Sequence, residues 1–504
     1  MPRFAREHYL FLSKEVEVIG SDKDELFVVE RIDDEKTKVS VYKLKKKGDR
    51  GQLVYERVFL KSETKEVRLF GLGGQDEFKL SGDVNKGIKV SILGGKKKDS
   101  VVDESNVKSG GKKTIVYDKS VKVEKSRETK VKLAKDNETN AYNRKSFKYD
   151  ILMPQISAQF NPDDGIFLGA GFLYTKNNWR KETYAAQHQL LFNAAFATGS
   201  YSFNYKGSIT EVLGKWGVDL EAENQTPFFV NNFFGLGNDS QFDFDGENEA
   251  SGEDNPIQFY RIRTDRASYG ASLFRNFGTA SKFSFGPLYR SARIDENDDN
   301  FLLTQGSDID IDKVSQLHEY AGGQAKIILD SRDNKVITKR GAKLELQAQQ
   351  LWGINDRSED LGQLSANFSF YLTPRATNFT IANRTGVTHI NGDFEFFNAA
   401  TLGGRSNLRG FRRTRFYGQT AFYNNTDIRL KLFSFRSYLF PAKIGLVGFH
   451  DLGRVWLEGE DSDTWHSSAG LGLWIAPANA TVISFNLSFT EEENLPSVTF
   501  GFLF

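Results

Sequence analysis

The 504-residue chain contains no cysteine. That excludes a disulfide framework, a thiolate nucleophile and any thiolate-bound zinc or iron–sulfur site. Histidine is sparse, and His8, His188, His318, His389, His450 and His466 are scattered without metal-ligand spacing. No apolar run approaches the roughly 18 residues of a transmembrane helix, and mean hydropathy is −0.47. This does not exclude a membrane barrel, because barrel strands alternate apolar and polar residues and barely raise an average. The roughly 7–15-residue apolar stretch of a secretory leader is also missing near Met1, where YLFL is the longest apolar run. No catalytic triad, nucleophile elbow or phosphate loop can be assembled, and Leu402-Gly403-Gly404 lacks a following helix and lysine. The residues therefore predict a protein that is not an enzyme, with no cofactor and no metal site.

The net charge of +1 conceals two halves, +9 over residues 1–150 and −8 over residues 151–504. The basic half spreads 27 lysines without an aromatic-interleaved recognition helix, which argues against nucleic acid as a partner. Such asymmetry suggests two regions in different surroundings. Residues 8–93 read as short β-branched strands punctuated by turns, with no helix. Two strands run into similar turns, Gly73-Gly74-Gln75-Asp76 and Gly94-Gly95-Lys96 followed by Asp99. Calcium-binding repeats share that chemistry, but two imperfect copies favour plain β-turns. Three regions are predicted: a β-rich periplasmic-type domain over 1–95, a lysine-rich connector over 96–148, and a β-sheet region over 149–504.

In the last region lysine thins and Phe, Tyr, Gly and Asn rise. Sixteen alternating segments follow, from 151–161 to 495–504. An even number of antiparallel strands closes without a free edge, as a bilayer demands. Connections near 176–182, 210–214, 276–279, 374–375 and 476–479 are short, whereas 229–255, 295–314 and 391–418 are long. Short turns at one end and long loops at the other suit an outer-membrane barrel. The fold class expected is all-β: a 16-stranded antiparallel transmembrane β-barrel preceded by a small β-rich soluble domain. The long loops carry Asp239, Asp243, Asp245, Glu247, Glu249, Glu253 and Asp254, then Asp295, Glu296, Asp298, Asp299, Asp308, Asp310 and Asp312. Glu458, Glu460, Asp461, Asp463 and Glu491 to Glu493 add two more acidic turns, which read as solvated loops rather than cation sites. At the end, SVTFGFLF alternates Val498, Phe500, Phe502 and Phe504 on one face.

Four segments carry a more specific pattern. Leu408-Arg409-Gly410-Phe411 lies in the longest late loop; Asn425, Asp427 and Arg429 share one strand parity; Phe449, Asp451 and Gly453 share another. Asp330, Arg332 and Asp333 precede Arg340-Gly341 across a turn. Together, in this order, they resemble the BamA/TamA superfamily of outer-membrane assembly and translocation barrels, over roughly residues 145–504. Asp427 stands where that family has Glu. The resemblance implies a loop folded into the lumen, with Arg409 meeting the inward carboxylates of Asp427 and Asp451, and a periplasmic turn built on Asp330, Arg332, Asp333, Arg340 and Gly341. It also implies a weak seam between the first and last strands, where Pro154 removes a ladder donor and Gly501 weakens the terminal strand ending in Phe504. Parity supports the inward assignment independently: a face bearing Asp427, Arg429 and Lys431 cannot point at lipid.

Residues 1–100 resemble instead the β-rich segment preceding the barrel in Bacteroidetes proteins that carry a calcineurin-like metallophosphoesterase, a part absent here. The chain then reads as the C-terminal portion of a longer protein. The expected role is assembly or translocation of polypeptides at the bacterial outer membrane. The partners expected are lipopolysaccharide and phospholipid, client polypeptides and assembly accessory proteins. The alternative is a membrane anchor for a periplasmic or surface module, without transport. A diffusion porin ranks below both, because a docked loop obstructs the lumen.

Overall fold

The computed structural model describes residues 3–504 except 46–48, 96, 109–110, 112, 118–120, 133–141, 145–147, 162–164, 178–183, 196–198, 243–256, 258, 279, 295–308, 376, 437 and 439. The chain divides into two compact units, Met1–Phe147 and Lys148–Phe504.

The first unit is built from stacked parallel strands. Glu15–Ile19, Glu66–Phe70, Lys89–Leu93, Thr114–Val116 and Thr129–Val131 form one all-parallel sheet. Glu25–Arg31, Glu77–Ser81, Ser100–Asp103 and Lys122–Glu124 pair in parallel in a second, which the antiparallel hairpin Lys36–Leu44 and Arg50–Leu60 extends. Glu66 pairs with Lys89 and Glu77 with Ser100, the same 23-residue offset in both sheets. The chain therefore coils as a β-solenoid, each turn contributing one strand to each sheet. Between the sheets Phe27 stacks on Phe78 at 4.7 Å among buried Val29, Leu69, Val90, Ile92 and Val101.

Two expectations are corrected here. The stretch read as a lysine-rich connector with only scattered short strands, such as TIVYD and KVEK, supplies solenoid strands through Val131, because its apolar residues Val101, Ile115 and Val116 stack on the preceding turn. A helix, α1 (Arg3–Ser13), stands where none was expected. Its good helix formers and an Arg3–Glu7 ion pair one turn apart (2.8 Å) favour it, although Phe4, Phe11 and Leu12 remain exposed.

The two glycine–aspartate turns sit on successive coils, with Gly74 and Gly95 in the left-handed region at φ 97° and 120°. Their acids stack inward: the Asp76 carboxylate accepts from the Glu25 amide at 2.9 Å, and the Asp99 carboxylate from the Asp76 amide at 2.8 Å. Among the described residues, no group of three or more His, Asp or Glu is placed to hold a metal ion. Burial, with Asp99 and Glu25 adding repulsion, pushes the Asp76 carboxyl up to about 8. The folded unit thus binds this proton far more tightly than the unfolded chain. Its contribution is complete below the usual carboxylate range and is lost as pH rises towards about 8. In the 504-residue chain, hydrogen-exchange protection over residues 71–80 should fall with pH across that window, by at most about 1.4 kcal/mol per pH unit. Asp76→Asn should flatten the slope; a wild type with pH-independent protection refutes the assignment.

The second unit is a single antiparallel sheet of sixteen strands in chain order. They are β1 (Ile151–Asn161), β2 (Gly165–Lys176), β3 (Ala186–Ala195), β4 (Tyr201–Leu213), β5 (Trp216–Asn232), β6 (Arg261–Phe277), β7 (Ser281–Ile294) and β8 (His318–Asp330). Then come β9 (Gly341–Gly353), β10 (Leu361–Leu372), β11 (Phe379–Gly392), β12 (Thr420–Arg436), β13 (Pro441–Trp456), β14 (His466–Pro477), β15 (Ile483–Phe489) and β16 (Asn494–Phe500). The sheet curls on itself, and β16 meets β1 through one pair among the described residues, Phe160 with Val498. Ile156, Leu364, Phe368, Ile428, Leu471 and Phe485 project outward and exposed, as a lipid-facing surface requires. Trp352, Trp456 and Trp465 are exposed where strands leave the sheet at one end, the placement of an interfacial aromatic belt. The described parts of the long connections, 233–242, 257, 259–260, 309–317 and 393–419, lie at that end.

Candidate functional site: an arginine cluster in the barrel lumen

The connection 393–419 folds back into the barrel. Ala400–Leu402 pairs with Phe416–Gly418 as a short neck, and a single helical turn, Gly404–Asn407, leads into the Leu408–Phe411 tip. Leu408 and Phe411 are buried with Leu402, Phe416, Tyr423 and Val455, so apolar burial seats the tip against the lumen face of β12 and β13. Two glycines make the path possible. Gly403 and Gly410 have φ 127° and 90°, and a Cβ on Gly410 would lie 2.6 Å from Thr490 and close to Ser488 and Ser468.

Alternation along β12 and β13 turns Asp427, Arg429 and Asp451 inward, with Asn425 opposite Asp451. The structure brings Arg409 to both acids. Its Nε and Nη2 donate to the two Asp451 oxygens at 2.7 and 2.6 Å, and its backbone amide adds a third bond at 3.0 Å. Nη2 also lies 2.9 Å from Asp427 Oδ1. The guanidinium stacks 3.8 Å from the Phe449 ring centroid, and Arg429 approaches the other Asp427 oxygen at 2.8 Å. Asp451 and Asp427 are 0% and 1% exposed, so these charges rely on one another rather than on water.

A second tier escaped the sequence reading. Arg412 binds Glu493 through Nε and Nη2 at 2.5 and 2.7 Å, and Arg415 binds Glu492 at 2.8 Å. Glu492 and Glu493 were expected to be solvated; instead, burial raises the Glu492 carboxyl pKa despite its partner. The signal was present as arginines spaced three apart, 409, 412 and 415, opposite a glutamate turn between the last two strands. Glu460 likewise turns in, accepting from the Asn238 and Asp239 amides at 2.6 and 3.0 Å. Asp243, Asp245, Glu247, Glu249, Glu253, Asp254, Asp295, Glu296, Asp298, Asp299 and Asp308 lie outside the described residues.

The expected terminal alternation fails after Phe500. At Gly501, with φ 101°, the chain leaves the sheet and turns into the lumen. Phe502 meets Trp474 and lies under Arg429, 4.0 Å from its guanidinium, and the Phe504 carbonyl accepts from Arg429 at 3.0 Å. Phe502 and Phe504 therefore pack on an inward cation instead of continuing a lipid-facing row. Phe504 is not at the seam, and Pro154 pairs with Phe172 on β2. A cavity of about 230 Å³ separates the Arg409 ion pairs from residues 500–503.

At the opposite end, Asp330 takes both Nε and Nη2 of Arg332, at 3.0 and 2.8 Å. Asp333 accepts from the Lys339 and Arg340 amides, and the Arg340 guanidinium reaches the Thr373 carbonyl. Gly341, at φ 109°, passes so near Ser331 that a Cβ would lie 2.4 Å from its carbonyl oxygen. These five residues thus form the turn between β8 and β9.

The Omp85 superfamily domain matches residues 192–504, from β3 through the Arg409 loop to β16. The chain belongs to the Omp85 superfamily. None of the curated proteins matches it. Among solved structures, this Omp85 barrel is similar to BamA from Haemophilus ducreyi lacking POTRA domains 1–3, at 11% identity over 70% of each chain with a TM-score of 0.50. It is also similar to CdiB from Acinetobacter baumannii (11% identity, 70% of this chain and 59% of that one, TM-score 0.43). CdiB from Escherichia coli matches at 12% identity over 74% and 65%, with a TM-score of 0.46. At such identity the BamA likeness speaks to the fold. The superfamily assignment and this architecture place the barrel in the bacterial outer membrane.

Proposed function

We propose that this Omp85 chain assembles or translocates polypeptides at the outer membrane, with the Leu408–Phe411 loop held in the lumen by Arg409, Asp427 and Asp451. The seam carries this reading. Neighbouring strands such as β15 and β16 share seven pairs, whereas β16 and β1 share one among the described residues. A sheet so weakly closed offers an edge to an incoming strand. The role of the arginine cluster is to fix the loop, since buried ion pairs add little net stability. Lipid, client polypeptides and accessory proteins are the corresponding partners.

The test places photocrosslinkers at Ile156 and Phe500, on the outward faces of the two seam strands. Adducts with unfolded outer-membrane clients are expected at both, and few at Leu364 on the far wall. The second reading, an anchor for another module, is favoured by the solenoid character of residues 15–131 and by the resemblance to the Bacteroidetes branch with a metallophosphoesterase. It predicts no adducts at any of the three positions.

A further inference from the structure

Several inward arginines of the barrel have a carboxylate. Arg409, Arg412, Arg415 and Arg429 are all paired. Arg384 on β11 donates instead to Asn425 Oδ1 and the Ser406 carbonyl, and Arg266 on β6 and Arg290 on β7 also stand without one. Neither has a carboxylate within 4.0 Å among the described residues, and both bond only to neutral oxygens. Arg266 Nη2 donates to the Phe397 carbonyl at 2.9 Å, and Arg290 Nη2 to Gln349 Oε1 at 2.6 Å, with a longer contact to Gln363 at 3.4 Å. Arg266 Nε is buried without any partner.

Their placement follows from register. Arg266 pairs with Ala292, and Arg290 with Ser268, so the two side chains are diagonal neighbours on the lumen face. Both line a cavity of about 310 Å³ with Glu223, Gln225, Gln363 and Tyr320. Residues 397–399 of the inward loop also line it, and Asn398 donates to the Tyr320 hydroxyl at 3.0 Å. Two guanidiniums and one carboxylate give the lining a net charge of +1. Holding like charges together away from bulk water is unfavourable unless an anion joins them.

We propose that this cavity binds a phosphate-bearing anion. Two guanidinium forks with neutral hydroxyl and amide donors suit the several oxygens of a phosphate better than a single carboxylate. The volume lies at the lower end of the roughly 300–1,000 Å³ of small-molecule sites. The phosphate would bridge Arg266 and Arg290 and contact the underside of the loop that carries Arg409.

The test is calorimetric titration of the full chain in a non-ionic detergent at constant ionic strength. One arm uses inorganic phosphate, the other dihexanoyl phosphatidic acid. Saturable binding is expected. Gln363→Glu, which supplies an internal carboxylate beside Arg290 and leaves both arginines, should weaken it at least tenfold. Arg290→Gln should do the same. At least tenfold tighter binding of the lipid identifies a headgroup as the ligand; equal or weaker binding identifies a soluble phosphate. No saturable heat in either arm overturns the proposal. So does affinity unchanged in a folded Gln363→Glu protein, or an equal response to chloride.

Discussion

Arg409→Ala should release the 393–419 loop from the lumen and abolish client assembly. The substitution removes one cation from between two carboxylates that are essentially inaccessible to water. Asp451 loses both side-chain bonds and Asp427 one of its two cations, with Arg429 remaining. Removing one member of a buried ion pair costs about 3–5 kcal/mol, most of it the penalty on the stranded charge. The docked loop relaxes that penalty by leaving and admitting water. Limited trypsin digestion reads this directly, because Arg412 and Arg413 lie in the loop and remain cleavable in the variant. Rapid cleavage between β11 and β12 is expected where the wild type resists. Adding Asp451→Asn should restore part of the resistance, since the stranded charge is then gone. A variant as protease-resistant and active as the wild type would sink the assignment.

The second large effect is expected at Gly410→Val. No charge changes, yet the tip should fail to seat. Valine must adopt φ 90°, where a non-glycine residue carries about 1–3 kcal/mol of strain. Its Cβ would also press on Thr490, Ser488 and Ser468 across the lumen wall. The phenotype should therefore match that of Arg409→Ala in protease sensitivity, while Asp451→Asn fails to rescue it. That contrast separates electrostatic from steric undocking. Equal rescue in both variants would mean that the acids act elsewhere.

Much of the barrel was legible in the sequence because each strand has one wet and one lipid face. Asp427 and Arg429 alternate with Ile428 and Leu430, and no other orientation keeps charge from lipid. The arginine–carboxylate contacts were approachable because loop and strand patterns occur together in one order. The solenoid was less legible. Its short strands have no hairpin partner nearby in sequence; each rests on the strand about one turn later, and an inserted hairpin separates Val28 from its partner Lys79. Lysine-rich composition also hid residues 100–131, where only a few apolar side chains per turn need point inward. The terminal strand misled for a different reason. Alternation predicts Phe502 outward, but Gly501 permits a reversal and an inward arginine offers the aromatic rings a better contact.

The solenoid has a mechanical consequence. Each turn rests only on its immediate neighbours, so force applied along the stack is resisted one interface at a time rather than by the whole unit at once. A turn detached from the Val131 end would lengthen the chain in a discrete step. For the 23-residue offset between Glu66 and Lys89, that step is roughly 80 Å of extended backbone. Under load the N-terminal unit would therefore lengthen turn by turn, while the turns not yet detached keep their shape.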